Sequence, residues 1–160
     1  MRKTRIRIAI KAAVLLAAAF LLYLKAGILI YHDRSMFPSV RDGDLCIAWK
    51  KGGYKSQEIV IYQSEGTLQL GRIEAGPGDT VNITNTGNLT VNDSVPYETI
   101  YYRSDPDPDS GLIYPLQLGR GEYFVVNDYR EQFGDSRSQG PISSEAIKGS
   151  VFLIVRHRGF

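Results

Sequence analysis

The 160 residues and 17.9 kDa suit one domain with a small appendage, and 43% hydrophobic with 22% charged residues excludes a disordered or collagen-like chain. The single cysteine, Cys46, excludes a disulfide framework and a cysteine-rich metal site; with only His32 and His157, far apart, no metal or other cofactor is expected. Five of the nineteen basic residues (Arg2, Lys3, Arg5, Arg7, Lys11) lie in the first eleven positions without an acid, turning the formal +2 of the chain into −3 for the other 149 and arguing against a nucleic-acid partner.

Residues 1–11 read as a cytoplasmic basic tail. An apolar run follows at 12–24, then Lys25, then Ala-Gly-Ile-Leu-Ile-Tyr at 26–31. Spanning a bilayer takes about 20 apolar residues. The stretch 12–31 reaches that length if the Lys25 ammonium snorkels to the outer headgroups. A cleaved secretory signal competes with an uncleaved anchor, but no small-x-small cleavage site follows Leu24. The expectation is a single-pass signal anchor at 12–31, N-terminus cytoplasmic, with residues 32–160 forming an extracytoplasmic domain at the cell membrane.

Beyond Tyr31 no segment sustains a helical period. Short β-prone runs stand at 45–49, 59–63, 68–74, 80–84, 89–91, 123–127 and 151–156. Turn signals separate them: Asp42-Gly43, Gly52-Gly53, and Thr86-Gly87-Asn88, the last placed like a hairpin loop. The two prolines of 105–111 keep that stretch out of a ladder, and it reads as an exposed loop. One helical turn is expected at 143–147, capped by Ser144. The predicted fold is mainly β: an N-terminal transmembrane helix, then a curved antiparallel β-sheet domain.

Residues 35–39 read Ser-Met-Phe-Pro-Ser, followed by Val-Arg-Asp-Gly-Asp-Leu. A Ser-Met-x-Pro segment directly after an anchor resembles the nucleophile box of type I signal peptidases, the S26 serine peptidases. Further boxes follow in order. Gly43-Asp44-Leu45-Cys46-Ile47 is similar to the family's Gly-Asp strand, and Glu58-Ile-Val-Ile-Tyr62 to its Asp-Ile-Val-Val-Phe strand. Arg72-Ile-Glu-Ala-Gly-Pro-Gly-Asp79 is similar to its Pro-Gly-Asp box, and Tyr123-Phe-Val-Val-Asn-Asp-Tyr-Arg130 with Asp135-Ser-Arg137 to its final box. Taken singly, each has a plainer reading as a surface loop, a turn or a bracing ion pair. Four in sequence carry the resemblance. It implies Ser35 as nucleophile, Met36, Phe37, Pro38 and Phe133 as substrate contacts, and Asp79, Asp128, Arg130, Asp135 and Arg137 as structural supports.

Serine at its own pKa is a weak nucleophile and needs a base. The family uses a desolvated lysine, set immediately before the arginine of the Pro-Gly-Asp box. That position here is Gly71, and Arg72 cannot replace it, because guanidinium stays protonated. His32 is the nearest substitute in sequence. Three residues before Ser35 on a strand, it would point to the opposite face; Lys50, Lys51, Lys55 and Lys25 are weaker candidates. The serine that orients the family's lysine is Phe133 here, and its ring is expected to lean toward Gly71 and Ser35, filling the space the lysine left. Drift after catalysis ceased to matter explains the same change without compensation. The Ser35 N–H is expected to survive as an oxyanion donor.

Three functions follow from the resemblance. One is a catalytically impaired relative that keeps the peptide groove and binds an exported pre-protein or pilus-subunit peptide, as an accessory to sortase-linked assembly. Another is a working signal peptidase cleaving signal peptides with Ser35. The last is a membrane-surface module without a groove. Lipid is an expected partner in all three, with Phe37 and 27–31 dipping into the outer leaflet.

Overall fold

The computed structural model describes residues 7, 10–16, 26–84, 86–96 and 103–156, of which 10–16 are helical. Residues 17–25 of the expected anchor, Lys25 among them, and His157 lie outside the described residues. Among the described residues no helix is long and apolar enough to cross a membrane. The far end of the expected span is not helix but strand β1 (Ala26–Ile30). A continuous apolar run gives no period by which to separate a span from a buried strand. The sheet thus begins at Ala26 rather than beyond residue 31.

The remaining strands are β2 (Leu45–Trp49), β3 (Ile59–Ser64), β4 (Thr67–Ala75), β5 (Thr80–Ile83), β6 (Leu89–Val91), β7 (Leu116–Gln117), β8 (Glu122–Val126), β9 (Ile142–Ser143) and β10 (Ile147–Val155). Seven form one antiparallel sheet in the order β1-β2-β10-β3-β4-β8-β9, and three a smaller sheet, β6-β5-β7. The seven runs expected from sequence all become strands. The helical turn does not form at 143–147, where β9, a turn and β10 follow one another; it forms at Ser136–Gln139, capped by Asp135 through the Arg137 N–H.

Local chemistry sets the register. Glu65 and Gly66 both have positive φ, 49° and 80°, so a two-residue turn joins β3 to β4 with Ser64 opposite Thr67. β10 begins four residues earlier than its β-prone run, because Gly149 admits a close approach. A Cβ there would stand 2.8 Å from the carbonyl carbon of Trp49. Only glycine lets β10 cross between β2 and β3.

Side chains alternate across the sheet. One face carries Tyr31, Met36, Cys46, Ala48, Ile61 and Leu70, and the other Val60, Tyr62, Ile73, Tyr123, Val125 and Ile147. The smaller sheet closes on Ala75, Phe124 and Val126. Two backbone edges of the large sheet matter for the site, one at its β1 end and one within β4. β1 pairs with β2 alone, and β8 joins β4 only from Arg72 onward, so 67–71 have no strand on that side.

Candidate active site

Ser35 lies in the turn that leaves β1, and its neighbours fix it from both sides. Met36 is fully buried and its carbonyl accepts the Val40 N–H at 2.9 Å, while the Ser35 carbonyl accepts the Tyr129 N–H at 2.8 Å. The second bond ties the turn to the 127–137 loop. The Ser35 hydroxyl is 2.6 Å from the Tyr31 hydroxyl, whose oxygen also accepts the Met36 N–H at 2.9 Å. Burial, more than any other influence, pushes the Tyr31 hydroxyl up to about 12, against the pull of its bonds to Ser35 and Met36. Tyr31 therefore keeps its proton at neutral pH and is no base for Ser35.

The second neighbour is an anion. Asp33 accepts the Arg34 N–H at 2.6 Å, with the Gln132 amide 3.4 Å away and Ser35 two residues on. Burial raises this carboxyl, but the influence of the Arg34, Ser35 and Gln132 donors outweighs it and holds the group below its ordinary value. The expected oxyanion donor, the Ser35 N–H, thus has a carboxylate two residues back on the same cavity wall. Oxyanion stabilisation needs donors aimed at empty space where charge will develop.

Gly71 sits in β4 with its missing side chain directed at the second core face. A Cβ there would lie 2.4 Å from Val125 Cγ1 and 3.1 Å from Tyr62 Cε1. The volume of a side chain at 71 has been taken by Val125 and Tyr62, both fully buried. Phe133 is not the filler that the sequence predicts. Its ring packs over the Arg137 guanidinium, 4.9 Å from Cζ to centroid, and is 39% exposed. It does line the cavity that Ser35 borders.

Three arginines brace the surroundings, Arg130 and Arg137 buried and Arg72 partly so. Arg72 grips both oxygens of Asp128 at 2.7 Å and also donates to Ser39 and Gln57, so it is spent on structure. Arg130 pairs with Glu74 at 2.8 Å and donates to Ser104. Arg137 pairs with Asp135 and donates to the carbonyls of Arg130 and Gln132. Asp79 receives the Gly76 N–H at 2.9 Å, closing the Pro77-Gly78 turn, where Gly78 takes φ 88°.

The remaining candidates disperse. Met36 belongs to the core and has no exposed surface for a substrate. Phe37 turns to a separate recess with Arg34, Arg41 and Asp42, and neither it nor Pro38 lines the Ser35 cavity. His32 follows β1 in a loop rather than sharing a strand with Ser35, and its Nδ1 is 3.2 Å from Asp42 Oδ1. Lys51 pairs with Glu58 at 2.5 Å, and none of the described lysines lines the cavity. Sequence reasoning missed Tyr31 and Asp33. For Asp33 a signal existed: an Asp two residues before a Ser is a common Asx-turn arrangement, in which the carboxylate turns back on the following N–H groups.

The cavity itself holds about 290 Å³. One wall is Leu29–Asp33 with Ser35, another Leu68–Leu70, and the third Asn127 with Gln132–Gly134. It lies between the two unpaired backbone edges, those of β1 and of the first half of β4.

Comparison with known proteins agrees with the motif reading. The family model described as signal peptidase, peptidase S26, matches residues 3–156. Thylakoidal processing peptidase 1, chloroplastic, of Arabidopsis thaliana is 31% identical over 74% of this chain, although the match spans 38% of that protein's length. Signal peptidase I U of Bacillus subtilis is 24% identical over 96% of this chain and 89% of the relative. The crystal structure of a signal peptidase I from Enterococcus faecalis superposes with TM-score 0.51, at 22% identity, covering 61% of this chain and 96% of that one; it shows the same fold.

Proposed function

Because the chain belongs to the signal peptidase, peptidase S26, family, we propose that it is a member impaired in proteolysis that holds an extended exported peptide in the groove beside Ser35. One observation carries this reading: the Ser35 hydroxyl bonds to the Tyr31 hydroxyl, which burial keeps protonated, and no lysine among the described residues lines its cavity, where serine hydrolysis needs a base. The crowding at Gly71 supports it, since a lysine there has no room. Peptide holding is supported by the two unpaired edges that flank the cavity. An extended segment laid between them would add a strand to either edge, its main chain giving affinity and its side chains specificity. The client is an exported pre-protein or a pilus-subunit peptide, and the role an accessory to sortase-linked assembly.

A membrane setting is part of the proposal. In register across three strands stand Ile28, Ile47 and Leu153, then Ile30, Leu45 and Val155. Four of these, Ile28, Ile30, Leu153 and Val155, are exposed, and the apolar run at 12–24 leads straight into β1. Flotation with lipid vesicles tests this: the double variant Ile30→Asp/Val155→Asp should float less, and equal flotation would remove the lipid contact.

The second reading, a working peptidase, is favoured by the names of the relatives and by the retention of Ser35. Full-length protein in detergent, incubated with a pre-protein beside a Ser35→Ala control, separates the two. The impaired reading expects no cleavage by either. Cleavage by the natural chain that vanishes in Ser35→Ala overturns it.

A further inference from the structure

The cavity beside Ser35 is built for an unusual guest. Its only carboxylate, Asp33, has no cationic side chain as partner among the described residues. Both donors that reach it among the described residues are neutral: the Arg34 N–H at 2.6 Å and the Gln132 amide at 3.4 Å. The one ionisable nitrogen on the walls, that of His32, is turned to Asp42. An exposed, unpaired charge in a recess attracts a ligand of opposite sign more strongly than one in open water, because the walls exclude solvent.

The rest of the lining is apolar where it needs to be. Leu29, Leu68 and Phe133 border the same space, and the Phe133 ring is held from behind by Arg137. A recess of about 290 Å³ that sets Leu29, Leu68 and Phe133 among the polar Gln69, Asn127 and Gln132, with one carboxylate, matches an amphipathic side chain, a methylene stem ending in a cation. It suits a small apolar side chain poorly, since a methyl group would leave Asp33 unpaired beside it.

We propose that this groove selects peptides presenting a lysine or arginine side chain at the residue seated beside Ser35, with Asp33 as the specificity-determining residue. This rests on the peptide-holding reading above and names the class of client. Nothing covalent is involved. The cation replaces water around Asp33 while its stem packs on Leu68 and Phe133.

The test uses the full chain in detergent micelles and three fluorescent extended peptides, blocked at both ends and differing at one position: lysine, norleucine or glutamate. Fluorescence anisotropy should show the lysine peptide binding about tenfold more tightly than norleucine, and glutamate more weakly than either. Raising the salt should shrink that ratio, because an accessible ion pair is screened. In Asp33→Asn, which keeps an acceptor for the Arg34 N–H, the lysine-to-norleucine ratio should fall to about one. In Asp33→Lys the order should invert in favour of glutamate. Equal binding of all three peptides by the natural chain overturns the charge selection and leaves the groove reading standing. Failure of all three to bind overturns both. Since the peptide series is read on the natural protein, the result does not depend on a variant folding.

Discussion

Restoring the base to this scaffold takes more than one substitution, and the geometry at Gly71 says how many. The smallest perturbation is Gly71→Ala. Its Cβ would sit 2.4 Å from Val125 Cγ1, 3.1 Å from Tyr62 Cε1 and 3.4 Å from the Val126 carbonyl. Carbon atoms rest about 3.5–4.0 Å apart, so Val125 must retreat by more than an ångström. It has little freedom to do so, being fully buried in β8 and packed with Val60, Tyr62 and Ile73. Overpacking of this kind costs about 1–3 kcal/mol. With about 2 kcal/mol as the central value, the melting temperature should drop by roughly 4–8 °C for a domain of this size.

The decisive measurement is a double-mutant cycle. Val125→Ala alone removes two buried methyl groups and should cost about 2 kcal/mol. If the two sites compete for one volume, Gly71→Ala/Val125→Ala should be no worse than Val125→Ala alone, a coupling of about 1–3 kcal/mol. Chemical denaturation of the four proteins reads this directly. Strict additivity, or a Gly71→Ala variant as stable as the parent, would falsify the claim that Val125 holds the vacated space. The same cycle orders the route back to activity. Gly71→Lys alone should unfold more readily and cleave nothing, Gly71→Lys/Val125→Ala should fold, and cleavage of a pre-protein should appear only once Asp33→Asn also removes the charge from the oxyanion donor.

Three other outcomes are expected. Arg137→Met leaves the Asp135 carboxylate buried without its cation, and should lower stability by about 3–5 kcal/mol in denaturant unfolding; a loss below about 1 kcal/mol would show that backbone donors suffice for Asp135. Cys46, the single cysteine, is fully buried, and burial followed by the Asp44 charge pushes its thiol up to about 11. At pH 8 a thiol reagent should therefore label the native protein on the order of a thousandfold more slowly than the denatured one, and equal rates would contradict the packing of β2. For the lysine-peptide preference, Asp33 sets the pH window. Its carboxyl is held below the ordinary value by its donors, against burial, so it stays charged as pH falls from about 7 to about 5 and the preference should be constant there. It should fade only as the pH drops further and Asp33 takes up a proton; a decline that begins above that window would show that Asp33 does not set the preference.

Much of the sheet was legible because alternation and turn chemistry are local. The strand at 45–49 and the hairpin around 86–88 needed no tertiary information. β1 was hidden because Ala-Gly-Ile-Leu-Ile continues an apolar run, and length alone favoured a span. The early start of β10 was hidden for the opposite reason. Lys148-Gly149-Ser150 has no strand propensity, and it is recruited by the close passage over Trp49. At the site, Ser35 and Gly71 stood out from their boxes, whereas Tyr31 and Asp33 did not, since neither occupies a boxed position. Phe133 is expected near Gly71 because it holds the position of the serine that orients the family's lysine, and a position in a motif does not say which way a ring turns. Arg137 decides that, and the cation–π contact is a tertiary fact.

These failures share a cause that bears on reading any such scaffold. The residues that carry the resemblance most visibly are Arg72, Arg130 and Arg137 with Asp128, Asp79 and Asp135, and each is committed to buried pairing or to a turn. Losing one partner of such a pair costs about 3–5 kcal/mol, against a total stability of roughly 5–15 kcal/mol. Folding alone therefore holds these residues in place, with or without a reaction to perform. Position 71 is different, because no stability depends on a lysine there: the core closes around glycine with Val125 and Tyr62. Asp33 is different too, since a carboxylate is welcome to the neighbouring N–H groups and hostile only to a transition state. The positions where folding demands no catalytic side chain are thus the ones that report on chemistry. For this chain they are 33 and 71, and under the proposed function both count against hydrolysis and leave the groove to a cationic guest.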